Sequence, residues 1–181
     1  RNTVASVVVP QISIIVGPAA GGAVYSPAIT DFVFMVEEIG QMYITGPDVV
    51  KSVTGEVVSH EELGGAVAHA SRSGVAHFVE NNEKACFRQV KQLISFLPSN
   101  NTDEPPTAAV NDQTDGPSER LSTILPDDSS QTYDMKEVIQ NVVDNNGLLQ
   151  VQQLYAPNII VGFARMAGRS IGVVANQPAY A

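Results

Sequence analysis

Apolar positions along this chain follow two periods, and each marks its own elements. Short runs rich in β-branched residues predict strands over 12–16, between Pro10 and Gly17, and over 32–36, 41–45 and 75–79. Phe87, Val90, Leu93, Ile94 and Leu97 recur at helical spacing, which predicts a helix over 82–97 that Pro98 ends. Gly17-Pro18-Ala19-Ala20-Gly21-Gly22 reads as a turn of small residues, followed by a brief helix over 23–26 that stops near Pro27. Pro47, behind Gly46, sits at a helix start, where its missing N–H costs nothing and Asp48 suits the helix dipole. Ser59-His60-Glu61-Glu62 fits a capping box ahead of a small-residue helix reaching about Ala70.

Beyond Pro98 the pattern is lost and then returns. Residues 99–133 carry Pro105, Pro106, Pro117 and Pro126 among Asp103, Glu104, Asp112, Asp115, Glu119, Asp127 and Asp128, with Arg120 the one base. Such a stretch buries little apolar surface and reads as an acidic, Pro-rich surface linker. Asp134 then caps a helix with Met135, Val138, Ile139, Val142 and Val143 on one face, ended by Gly147. A strand over 148–154 and a hairpin pairing 158–166 with 169–175 through Ala167-Gly168 complete the chain. The expected organisation is α/β, with a first unit over 1–98, the linker over 99–133 and the start of a second unit over 134–181. The chain opens on Arg1-Asn2-Thr3 and closes just after a strand-like run, so an excerpt of a longer protein is expected.

Composition narrows the function. The chain has 181 residues, 44% of them hydrophobic, enough for a sizeable core. Its 10 Lys and Arg against 19 Asp and Glu give a net charge of −9, which argues against a duplex nucleic-acid binder. No apolar run approaches the ~20 residues a membrane span needs, so a soluble protein is expected. Cys86 is the one cysteine, which excludes an internal disulfide framework and points to a reducing compartment.

The sharpest local feature is the glycine-rich run at 17–22. A strand delivers the chain to tiny side chains and a helix then begins, whose first N–H groups lack internal partners and sit at the positive dipole end. Gly21 and Gly22 let a substrate approach that backbone, the geometry of an oxyanion hole. The same small residues also serve tight strand–helix packing, and the local sequence leaves both readings open. A dinucleotide fingerprint fails because Ala19 stands where its second glycine belongs, and the phosphate-loop Lys-Ser/Thr pair is missing. Ser26 has no G-x-S-x-G frame. His60, His69 and His77 lack metal-ligand spacing and take surface or packing roles, so no metal site is expected. Cys86 borders the apolar stripe of its helix and reads as a buried thiol, and Gly64-Gly65 as a place where another backbone approaches.

Ordered blocks across nearly the whole chain resemble the biotin-dependent acyl-CoA carboxyltransferases, within them the β subunits of propionyl-CoA carboxylase and its bacterial acyl-CoA carboxylase relatives. The blocks are Val9-Pro10-Gln11-Ile12-Ser13, Gly17 to Ala28, Thr30-Asp31-Phe32, Ile44 to Glu56, Glu61-Glu62-Leu63-Gly64-Gly65-Ala66 and Ser73-Gly74-Val75-Ala76-His77. Ser95-Phe96-Leu97-Pro98, Tyr133-Asp134-Met135, Asn158 to Met166 and Gly172 to Pro178 continue them, and the linker is least similar.

The resemblance implies a subunit of two crotonase-like domains, of which this chain holds the later part of the first and the start of the second. It implies transfer of CO2 from carboxybiotin to the α-carbon of a short-chain acyl-CoA such as propionyl-CoA, giving methylmalonyl-CoA. Biotin arrives on a carrier subunit or domain, and a partner biotin carboxylase uses ATP and Mg. Gly21 and Gly22 match the first-domain oxyanion motif that faces the CoA thioester. Ala20, Ala23 and Tyr25 are expected to wall the pocket, and Thr45, Gly46 and Pro47 to border the CoA arm. In the family pattern the second glycine-rich hole and most of the biotin pocket lie beyond Ala181. Active sites form where the first domain of one subunit meets the second of another, in a dimer-built hexamer located in the bacterial cytoplasm or the mitochondrial matrix. A methylmalonyl-CoA decarboxylase or transcarboxylase subunit using the same site is the alternative. Crotonase-type hydratases and isomerases fit less well, because they place a carboxylate close behind the glycines, whereas here Ala23, Val24, Tyr25 and Ser26 follow. A non-catalytic scaffold is the remaining class.

Overall fold

The computed structural model describes residues 2–110, 120–128 and 130–180. A single helical turn, α1 (Asn2–Ala5), precedes β1 (Ile12–Ile15), β2 (Pro18–Ala20), α2 (Gly22–Ala28), β3 (Phe32–Val36) and β4 (Gln41–Tyr43). Then come α3 (Pro47–Thr54), α4 (His60–Gly64), α5 (Ala66–Ala68), a π-helical turn at His69–Ser73, β5 (Phe78–Glu80) and α6 (Glu83–Ile94). β1, β3 and β5 form a parallel sheet in that order, and β2 and β4 a separate parallel pair with Ala19 opposite Met42 and Ala20 opposite Tyr43.

Three expectations are corrected in this part. Residues 18–20, read as turn, form a strand, because β4 supplies the hydrogen-bonding partner that small side chains cannot advertise. The helix after it is longer, Gly22–Ala28, and carries Pro27 in its last turn. The single helix expected to Ala70 is three pieces: the capping box of Ser59 and Glu62 starts α4, Gly65 breaks it in extended conformation (φ −71°, ψ 167°), and α5 widens into the π turn.

Further along come the turn α7 (Leu121–Ile124), α8 (Met135–Val142), a 3-10 turn at Asp144–Asn146, β6 (Leu149–Val151), β7 (Ile159–Met166) and β8 (Arg169–Asn176). The hairpin forms in the expected register, Met166 opposite Arg169, with Ala167 and Gly168 both at positive φ as a two-residue hairpin turn requires. Asp112, Asp115, Pro117 and Glu119 of the expected linker lie outside the described residues. The Ala108 N–H donates to Gly168 O at 2.9 Å, pinning the hairpin turn.

Core packing crosses the division expected between 98 and 134. Leu149 and Val151 of β6 are buried in one cluster with Phe34, Val36, Phe78, Cys86, Val90, Leu93 and Phe96. Phe34 and Phe78 stack at 4.4 Å inside it, and the Arg165 guanidinium covers the Phe96 ring at 4.1 Å while donating to Ser95 O at 2.6 Å. β6 thus completes the core of the first sheet. A second cluster, with Ile15, Val24, Val33, Met35 and Met42, lies on the other face and fixes the position of α2.

Candidate active site

The glycine-rich run leaves β2 and turns sharply into α2. Gly21 caps that helix at φ 59° and ψ −130°, a backbone region that a side chain would strain. Its N–H donates to Tyr43 O at 3.2 Å and to Ile44 O at 3.1 Å, so the β2–β4 ladder runs one residue past Ala20 and captures it. This corrects the expectation that both glycines offer open donors, since the Gly21 amide is already engaged. Gly22 opens the helix, and no acceptor among the described residues takes its N–H or that of Ala23. A Cβ built on Gly22 meets nothing within 4 Å. The first turn carries no acid, so no carboxylate competes for those donors.

The helix is held rigidly. Val24 is buried beneath it and its N–H returns to Gly21 O at 3.2 Å. At the far end Thr30 Oγ1 donates to Pro27 O at 2.8 Å and lies 2.9 Å from Ser13 Oγ, and Asn2 Nδ2 donates to Ser26 Oγ at 2.9 Å. Ala20 and Ala23 are exposed beside Gly22, and Tyr25 is 58% exposed. The Gly21–Ile44 bond brings this turn to the chain just ahead of Thr45, which is exposed, and of Gly46 and Pro47, which cap and begin α3. Two expected groups therefore converge at the end of β4, while the Tyr25 side chain stands out in solvent on α2.

β4 is also gripped from its other side, in part by His60 and His69, whose spacing gave them only surface or packing roles. His69 Nε2 donates to Met42 O at 2.6 Å, and its Nδ1 lies 3.0 Å from Ser73 Oγ. His60 Nδ1 lies 2.8 Å from Tyr43 OH, and Gln41 Nε2 donates to Glu61 Oε1 at 3.1 Å. Gly64 admits the Met42 backbone, the close approach its sequence implied: a Cβ there would run into Met42 O. The one signal for this cluster in the sequence is that Gly64-Gly65 precedes His69 by about a turn.

Other titratable groups lie away from the turn. Burial holds the His77 imidazole below its ordinary value, with Asp31 opposing weakly, and its Nδ1 accepts the Val33 N–H at 3.1 Å. Burial, with Glu80 and Glu83 adding to it, pushes the Cys86 thiol up to about 11. Hydrogen bonds from Ser59 hold the Glu62 carboxyl below its usual range. Among the described residues no group of three or more His, Cys, Asp or Glu stands placed to share a metal ion, and no helix is long and apolar enough to cross a membrane.

Comparison with known proteins gives this geometry a context. The methylmalonyl-CoA decarboxylase subunit alpha of Veillonella parvula is 56% identical over 178 residues, 98% of this chain and 35% of that protein. The propionyl-CoA carboxylase carboxyltransferase subunit of Haloferax mediterranei is 51% identical over 178 residues, 98% of this chain and 34% of its own length. The crystal structure of transcarboxylase 12S, described as a hexamer with methylmalonyl-CoA and methylmalonic acid bound, superposes with a TM-score of 0.95 at 49% identity, covering 99% of this chain and 34% of that one. The chain thus spans about a third of the length of these relatives. The carboxyl transferase domain family matches residues 1–181 from end to end, and the chain, an α/β portion of the crotonase-like fold, belongs to the carboxyl transferase family.

Proposed function

We propose that this chain is part of the carboxyltransferase β subunit of a biotin-dependent acyl-CoA carboxylase, and that its α2 turn holds the thioester oxygen of a short-chain acyl-CoA such as propionyl-CoA. The observation that carries the reading is the open Gly22 N–H at the head of a helix fixed at both ends. When the thioester loses its α-proton, negative charge moves onto the thioester oxygen. The Gly22 N–H, with that of Ala23 beside it, is already aimed and needs no reorganisation to meet that charge. Gly21 supports the pair through its bonds to Tyr43 O and Ile44 O, and Ala20 and Ala23 keep the approach clear. Thr45, Gly46 and Pro47, at the end of the same strand, border the CoA arm, with Tyr25 on the rim. Biotin, carried by a partner, supplies the carboxyl group and a ring nitrogen basic enough to accept the α-proton. The first turn of α2 has no acid, which suits a site that stabilises an anion and disfavours a hydratase or isomerase.

The partners on this reading are a biotin carboxylase and biotin carrier, which spend ATP and Mg, and further copies of the same subunit in a hexamer, in the cytoplasm. A second reading runs the same site toward CO2 release or toward another acceptor, and the 56% identity with a methylmalonyl-CoA decarboxylase subunit favours it specifically. The full-length protein, mixed with a carboxylated biotin carrier and propionyl-CoA, is expected to form methylmalonyl-CoA. Propionyl-CoA formed from methylmalonyl-CoA, with no net carboxylation when ATP and bicarbonate are supplied, supports the second reading. Transfer in neither direction refutes both.

A further inference from the structure

We propose that His69 is a positioning residue for the Gly21–Gly22 turn, acting through β4 from the side opposite the substrate. The inference rests on the reading of Gly22 as an oxyanion donor.

Successive residues of a strand direct their backbone groups to opposite edges. In β4 the Gln41 N–H donates to Gly17 O at 3.2 Å and Tyr43 O accepts from Gly21, so both residues face β2. Met42 therefore turns its carbonyl to the outer edge. There β4 has no neighbouring strand among the described residues, and its contact is an isolated bridge between Gln41 and Gly65. His69 takes the role a strand would have, with Nε2–H donating to Met42 O at 2.6 Å. A carbonyl only accepts, so this bond fixes the proton on Nε2, and Ser73 Oγ at 3.0 Å from Nδ1 holds the ring plane. The ring reaches that point because α5 widens into a π turn at His69–Ser73, a local irregularity common at functional sites.

The coupling runs through adjacent peptides. Met42 O and Tyr43 O belong to neighbouring peptide planes, and the Gly21 N–H bonds to Tyr43 O and Ile44 O, at 3.2 and 3.1 Å, leave little room before they fail. The Gly21–Gly22 peptide carries the open N–H itself. Without the imidazole, Met42 O turns to find another donor, Tyr43 O tilts with it, and the Gly22 N–H loses its aim. Acyl-CoA binding through the rest of the molecule is untouched, so the effect falls on the chemical step.

The test is steady-state kinetics of the full-length protein with its biotin carrier, varying acyl-CoA. His69→Phe, which keeps a ring and loses the donor, is expected to lower kcat about ten- to a hundredfold, with KM within about twofold. His69→Gln, which restores an N–H donor, is expected to recover most of kcat. Wild-type kcat in His69→Phe overturns the proposal. So does an equal loss in His69→Gln, or a loss confined to KM. If His69→Phe does not fold, Ser73→Ala makes the comparison: a fall in kcat at constant KM supports positioning and wild-type kcat overturns it. Gly22→Pro run alongside separates the two levels. Full activity there refutes the oxyanion reading, whereas an inactive Gly22→Pro beside a fully active His69→Phe refutes only the positioning role.

Discussion

Gly64→Ala tests how closely α4 registers β4. A Cβ on Gly64 would overlap the Met42 carbonyl oxygen and stand 2.7 Å from Tyr43 Cδ1 and 2.9 Å from the Met42 carbonyl carbon. Carbon atoms in contact settle near ~3.5 Å, so helix and strand must separate by more than half an ångström. The opposing atoms are mostly backbone, and Met42 is only 2% exposed and already held by His69, so the strand cannot yield cheaply. Overpacking of this kind costs about 1–3 kcal/mol, of which the helix preference of Ala over Gly offsets up to about 1 kcal/mol. The displaced strand carries the Tyr43 and Ile44 carbonyls that bond Gly21. A shift of half an ångström or more there is expected to lower kcat about tenfold or more, beyond any loss of folded protein. Urea unfolding of the full-length variant gives the first quantity, and kcat measured well below the unfolding midpoint gives the second. Wild-type values of both would show that α4 does not register β4, and the link from this helix to the glycine turn would fall.

Leu149→Ala is expected to destabilise the protein by about 2–5 kcal/mol in denaturant unfolding, because β6 closes the cluster around Phe34 and Phe78; a cost near zero would show that β6 is not part of that core. Cys86, fully buried and with its thiol near 11, is expected to resist iodoacetamide at neutral pH in the native state and to react once unfolded; rapid native labelling contradicts the packing. His77 gives stability a defined pH dependence. Its folded value lies below the ordinary 6.5, so only well above 6.5 are both states neutral and the slope gone. As the pH falls below 6.5 and through the lowered folded value, the unfolded chain takes the proton more readily and stability drops. His77→Gln should flatten that part of the profile, and an unchanged profile contradicts it.

Elements built from local signals were legible. The stripe of Val90 and Leu93 marked α6, Ser59 and Glu62 marked the start of α4, and Ala167-Gly168 marked the hairpin turn. What escaped depends on distant partners. Pro18-Ala19-Ala20 is a strand only because Gln41-Met42-Tyr43 lies beside it, and no alternation in three small residues signals that pairing. Leu149 and Val151 look like any short apolar run until the fold returns them to Phe34. At the site, the glycine run was visible, but which amide stays open was not. That is decided by the Tyr43 and Ile44 carbonyls, more than 20 residues away and brought in by a ladder that sequence does not display. His69 was unremarkable for the same reason, since its meaning comes from the outer edge of β4.

On the proposed function, the site turns on one N–H. Gly22 is the first residue of α2, where proline fits the helix, a Cβ meets nothing, and the preceding Gly21, at φ 59° and ψ −130°, already sits at the mirror image of the extended geometry that a proline imposes, which a residue without a Cβ can adopt. Gly22→Pro therefore removes the donor and keeps the fold. Carboxyl transfer by the full-length variant, measured with saturating acyl-CoA and its biotin carrier, should fall by about 10²–10³ while acyl-CoA still binds. A folded Gly22→Pro protein that transfers carboxyl groups at the wild-type rate would contradict the account.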